Sequence, residues 1–278
     1  MKKSITKASW DATLDTGMCD RYNNAELTIT LRLAFKQVNP AGGASSGTYH
    51  DYGDSRAPSR KVVKWSASDW TSWKQTFIQS AERFWKDKFW LINNFPELEF
   101  TDKSIKYIPN IWCRFKLSGS DASPSFKHHH MIEVVKLHPS ETWFGSHSKL
   151  YDSLDSKSVQ KGTDSKGNAI MQRAHVHEIG HLLGLGHVDE GKTHCPSSNT
   201  NASGCYGVTD SDKNSVMGQG MQLRREHAVP WRKAMVAILA KGNSQISTDW
   251  EAVTRRHYPR TQAEVANKAK ITTKPNRN

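Results

Sequence analysis

From Glu26 to Val38 (ELTITLRLAFKQV) apolar and polar residues alternate, the period of a strand that buries one face. From Asp69 to about Ile92 the period changes. Trp70, Trp73, Phe77, Ala81, Phe84 and Trp85 recur there at three- and four-residue spacing, which predicts a helix with one heavy aromatic face. Rings in such a stripe serve core burial rather than base stacking, because aromatic side chains carry the largest apolar areas. Tyr107 to Leu117 and Met131 to Leu137 (MIEVVKL) are two β-rich runs. In Arg225 to Lys241, helical beyond Pro230, Trp231, Met235, Ile238 and Leu239 share a face. The connections read as loops: Asn39 to Arg60 carries Asn39-Pro40, Gly42-Gly43 and Ser45-Ser46-Gly47, and Ser140 to Asn168 is a surface excursion rich in Ser, Lys, Asp and Gly. Strand, helix, strands and further helices define an α+β fold class, without internal repeats.

Composition narrows the picture. The 278 residues are 36% hydrophobic and 24% charged, enough for a sizeable core in a soluble protein. No run of eighteen apolar residues is present, so a membrane span is not expected. The net charge of +12 is spread over Lys2-Lys3, Arg224-Arg225, Arg255-Arg256 and Lys268, Lys270 and Lys274 rather than massed in one block, which reads as a solvated surface. Ser4 to Tyr22 is polar and lacks the apolar centre of a signal peptide, so the expectation is a cytoplasmic protein or one exported without a cleaved leader.

Candidate chemistry is concentrated in HEIGHLLGLGH. On a helix, His177 and His181 project from one face and can grip one metal ion together, with Glu178 on the rim of that face. Val176, Ile179, Leu182 and Leu183 gather opposite and would hold the ligand face still. Gly184 and Gly186 can take the left-handed conformation that ends a helix, letting His187 return as third ligand. Three histidines leave one tetrahedral position for water, the arrangement of catalytic rather than structural zinc. Glu178 is then placed to act as general base in amide hydrolysis. His175 falls on the apolar side and is expected as a packed histidine. His128, His129 and His130 read as an exposed loop. Cys195 and Cys205 lie ten residues apart and could form a local disulfide or remain reduced.

The segment HEIGHLLGLGH resembles the HExxHxxGxxH signature of the metzincin metallopeptidases, nearest in its glycines to matrixins and serralysins. Ser215-Val216-Met217-Gly218 resembles the Met-turn of that clan, in which the methionine is an apolar floor. Together these motifs span about one fifth of the chain, from Met171 to Leu223. Gln219 stands where astacins and serralysins carry a tyrosine ligand, so three protein ligands are expected. The resemblance implies a metzincin-like catalytic domain over residues 25–258, after an N-terminal extension (1–24) and before a basic mobile tail (259–278). Its upper subdomain, about 25–186, would hold a twisted mixed β-sheet and two long helices; a small, mostly helical lower subdomain would cover about 187–258. Substrate would lie extended along an edge strand, for which Met131 to Leu137 is chosen over Tyr107 to Leu117. Gln219, Met221 and Leu223 would line the substrate pocket, and Asp189, Asp210 and Asp212 are candidates to support the ligand histidines.

The expected function is that of a zinc-dependent endopeptidase with one catalytic Zn2+, a protein or peptide substrate and, as an exported effector or toxin, an inhibitor or immunity partner. The alternatives are a DNA-associated intracellular metalloprotease, for which the basic balance is the pointer, and a non-catalytic zinc-containing module that binds peptide or glycan.

Overall fold

A computed structural model describes residues 2–50, 54–93, 98–141, 149–241 and 249–272. The chain runs through β1 (Lys2–Thr6), β2 (Asp11–Asp15), β3 (Ala25–Val38), β4 (Ser46–His50) and β5 (Ser59–Val63) to helix α1 (Ala67–Trp85). Next come β6 (Phe89–Ile92), β7 (Phe100–Asp102), β8 (Ile105–Ile108), β9 (Ile111–Asp121), β10 (His130–Val135) and β11 (Leu150–Asp152). β12 (Val159–Thr163) and β13 (Ala169–Gln172) lead into α2 (Ala174–Leu182), followed by α3 (Asp210–Asn214) and α4 (Val229–Ala240). β14 (Glu251–Val253), β15 (Arg260–Thr261) and α5 (Gln262–Thr272) come last. The fold is α+β, with parallel and antiparallel pairs in its largest sheet.

The chain divides into two units, and β3 and β9 each contribute residues to both. The first unit takes Met1–Thr30, Trp85–Lys116 and Arg224–Asn278. Here β1 pairs with β2 and β2 with the start of β3, while β6 lies between β9 and β14, all antiparallel. Alternation buries Leu14, Leu27, Ile29, Leu91 and Ile111, and α4 adds Trp231, Met235 and Ile238. Trp231 sits 5.4 Å from the Phe89 ring, and its indole N–H donates to the Arg114 carbonyl at 2.8 Å.

The second unit takes Leu31–Phe84 and Leu117–Leu223. The end of β3 runs parallel to β10, which runs parallel to β11. The aromatic stripe of α1 packs on this ladder: Trp70, Trp73 and Phe77 surround Phe35 at ring separations of 6.3, 5.7 and 5.5 Å. Phe77 also lies 5.1 Å from the ring of His175, and the Ser80 hydroxyl sits 2.6 Å from His175 Nε2. The heavy face of α1 therefore fixes α2, which carries the candidate ligands.

Several expectations are corrected. The predicted helix from Asp69 to Ile92 starts two residues earlier and stops at Trp85, because Asp87 takes a φ of 61° and the alternating Phe89–Ile92 joins the sheet. Met131 to Leu137 is not an edge, since β10 is flanked by β3 and β11 and its alternate residues Ile132 and Val134 are fully buried. The supposed extension 1–24 supplies β1 and β2, whose Ile5, Ala12 and Leu14 are core residues. The supposed loop Asn39 to Arg60 contains β4, paired with β5. Within Ser140 to Asn168, β11 is buried and β12 pairs with β13, while 142–148 lies outside the described residues. The expected tail carries β15 against β8 and then α5, with 273–278 outside the described residues. Of the two long helices expected, α1 has 19 residues but α2 only nine. Residues from His187 to Leu223 group with α2 rather than with α4.

Candidate metal centre

Eight of the nine residues of α2 are buried, with His181 the one left partly exposed. The helix ends as its glycine requires: Gly184 takes a φ of 91°, its N–H donates to the His181 carbonyl at 2.9 Å, and Leu185 N–H reaches back to Gly180 at 3.0 Å. Gly186 does not share that conformation. The reversal returns His187 to the helix. His181 Nε2 lies 3.0 Å from His177 Nε2 and 3.1 Å from His187 Nε2, and one ligand atom from each of the three falls within 4.8 Å of the others.

The opposite nitrogens show which atoms carry lone pairs. His177 Nδ1 faces the Val216 carbonyl at 2.7 Å, His181 Nδ1 the Leu185 carbonyl at 2.9 Å, and His187 Nδ1 the Thr200 carbonyl at 2.6 Å. A carbonyl only accepts, so each Nδ1 is the donor and each neutral ring turns an unprotonated Nε2 inward. Burial holds all three imidazoles below the usual histidine range, with the neighbouring histidines adding to the effect at His177. Three lone pairs this close repel one another unless a cation lies between them. An ion 2.0–2.1 Å from each nitrogen in tetrahedral geometry would set them about 3.3 Å apart. The donor set fits a zinc-like divalent ion.

The supports are backbone carbonyls, not Asp189, Asp210 or Asp212. Asp189 has a fully buried carboxylate that pairs with Lys192, accepts from His194 at 2.8 Å and from Val208 N–H at 3.2 Å, and so orders the loop after the third histidine. Asp210 bonds Ser165, and Asp212 bonds Thr209. Cys195 and Cys205 form a disulfide that closes the same loop.

Met217 is buried, and its carbonyl accepts the N–H of Val188, the residue after the third histidine, at 3.0 Å. Its turn thus braces His187 through Val188 while Val216 braces His177. Gln172 stabilises the turn from β13, with its amide nitrogen 3.0 Å from the Gly218 carbonyl and 3.2 Å from that of Gly220. Sequence reasoning missed Gln172, because only its remote partners reveal its role.

Glu178 is buried, and burial pushes its carboxyl up to about 8 against the pull of Lys161. Lys161 sits where the β12–β13 register shifts between Gln160 and Gly162, a bulge of the kind that re-aims a side chain. Tyr206 is the second missed residue. Its ring lies 3.9 Å from that of His187 and stacks at 6.0 Å on His177, and burial, then the charge of Glu178, raises its hydroxyl above the usual range. Its place next to Cys205 was the available signal. His175 is a packed histidine, its Nδ1 2.9 Å from the Asp155 carbonyl. His129 bonds Arg32 N–H through Nδ1 at 2.9 Å instead of lying in a free loop.

Of the expected pocket residues, Gln219 abuts β12, where a Cβ on Gly162 would come within 2.0 Å of Gln219 Oε1. Met221 turns to the start of α2, its sulfur accepting from Arg173 N–H at 3.4 Å. Leu223 is half-buried. Among the described residues no helix is long and apolar enough to cross a membrane. Searched against family models, curated proteins and solved structures, the chain matches none.

Proposed function

We propose that this chain is a zinc-dependent endopeptidase in which Glu178 is the general base. The observation that carries the reading is the convergence of three unprotonated Nε2 atoms, two of them from the helix that also carries the buried Glu178. His177, His181 and His187 would hold the ion. When bound, zinc lowers the pKa of water to about 7 and polarises the scissile carbonyl. Glu178 takes the proton of the attacking water and passes it to the leaving amine, so no covalent intermediate is needed. Tyr206 donates a hydrogen bond to the carbonyl oxygen as negative charge develops there. The Met217 turn and Gln172 keep the ligand rings in place. The same motifs support assigning the chain to the metzincin architecture, in which the buried Met217 is the floor of the site.

The test uses purified full-length protein and casein. Cleavage is expected with one zinc per chain, is abolished by a zinc chelator, and is lost in Glu178→Ala while the zinc stays bound. Parent-like cleavage by Glu178→Ala, or failure to bind stoichiometric zinc after reconstitution, overturns the proposal.

A further inference from the structure

In the first unit, the alternation that sends Leu27, Leu91, Ile111 and Cys113 into the core turns Glu26, Trp90, Trp112 and Arg114 to the opposite face. Trp90 and Trp112 are cross-strand partners in the β6–β9 ladder. The Arg114 guanidinium lies 4.7 Å from the centre of the Trp112 ring and joins two carboxylates, Glu26 at 3.1 Å and Asp87 at 3.4 Å. Asp87 is held at a φ of 61°, a conformation rare outside glycine.

Glu26, Asp87, Trp90 and Trp112 line a cavity of 440 Å³, within the range of small-molecule sites, together with Asn24 and Arg256. Four polar atoms of its lining residues have no hydrogen-bond partner among the described residues although they are shielded from solvent: Trp90 Nε1, Trp112 Nε1, Asn24 Oδ1 and Asp87 Oδ1, the last of which faces Arg114 in the ion pair. The Asn24 amide nitrogen is satisfied by the His257 carbonyl at 2.7 Å, so its oxygen alone is left over. Buried polar groups are normally paired, and two indole donors and an amide acceptor left over among the residues lining one cavity are groups that a ligand would satisfy once those side chains turn toward it.

The lining selects the ligand's chemistry. Glu26 and Asp87 oppose an anion, Arg256 opposes a cation, and the polar share of the lining opposes a hydrocarbon. A neutral ligand with apolar C–H faces and hydroxyls that both donate and accept satisfies all of them. We infer that the first unit carries a saccharide-binding site built on Trp90 and Trp112, with Asn24, Glu26, Asp87 and Arg256 bonding the hydroxyls. The site contains none of the candidate zinc ligands, and its existence does not depend on the peptidase reading.

The experiment titrates full-length protein with cellotetraose, chitotetraose and maltotetraose while the indole N–H signals are followed by NMR. The signals are assigned from Trp90→Phe and Trp112→Phe. At least one tetrasaccharide is expected to bind with a Kd of about 1 mM or tighter and to shift both of these indole signals. Arg256→Ala, at an exposed position that leaves folding undisturbed, should weaken binding about tenfold, the loss of one charge-assisted hydrogen bond, and leave casein cleavage unchanged. If none of the three probes moves the Trp90 and Trp112 signals, or Arg256→Ala binds like the parent, the proposal is overturned.

Discussion

Helices α1 and α2 meet at Phe77 and His175 yet bury their faces by opposite means. α1 buries an aromatic stripe, and its cohesion is a sum of many small apolar contacts around Phe35. α2 buries His175, His177 and Glu178, and its imidazole nitrogens are satisfied one at a time, by Ser80, Asp155 and Val216. A volume error in α1 costs stability, whereas a lost partner in α2 costs orientation. The two helices should therefore respond to substitution in different measurements.

The largest separation is expected from Glu178→Gln, which should lower peptide hydrolysis by about 10³- to 10⁴-fold, the scale of a lost general base, with parent-like zinc content and unfolding midpoint. A variant that loses its zinc as well would blur the distinction. On the α1 side, Trp73→Ala should lower the free energy of unfolding by about 3–5 kcal/mol in a denaturant titration. Its kcat/KM per folded molecule should match the parent, and an inactive but folded variant would break the comparison.

His227 sharpens the contrast, as a buried histidine outside the cluster. Its Nδ1 accepts Arg224 N–H at 2.9 Å, and burial lowers its pKa to about 4. Because the folded pKa lies below the unfolded value, its contribution is complete above about pH 6.5 and is lost as pH falls toward 4, by at most about 3 kcal/mol. Unfolding of His227→Leu, followed from pH 7 to 4, should show a shallower acid limb; an unchanged slope would show that the titration lies elsewhere.

Tyr206→Phe should reduce kcat by about 10²-fold with KM and zinc content little changed, as for loss of one oxyanion donor. A change in KM alone would reassign the hydroxyl to substrate binding. The smallest effect is expected from replacing Cys195 and Cys205 together by serine, which should cost about 2–3 kcal/mol through loop entropy, read as a lower unfolding midpoint under non-reducing conditions. If that variant also loses zinc, the disulfide positions His187 through the loop that carries Thr200.

What could be read from the sequence was local. The spacing of His177 and His181, the need for glycine at 184 and the alternation from Glu26 to Val38 follow from the periods of helix and strand, and the structure reproduces each. So does the aromatic stripe of α1, except at its end, where Asp87 and the pairing of β6 outcompete continued helix. Partners distant in the chain were not legible. Nothing near His177 in sequence names Val216 as its acceptor, and nothing near Gln172 names Gly218 and Gly220.

The sequence by itself determined which side chains could bind a cation and that two of them share a helical face, because a helix fixes the direction of each residue from its number. The tertiary structure decided the rest: the third histidine's approach, the carbonyls that set every tautomer, Tyr206 over the cluster and β10 as an inner strand. Those depend on hydrogen bonds and packing between segments remote in the chain, which no local period encodes.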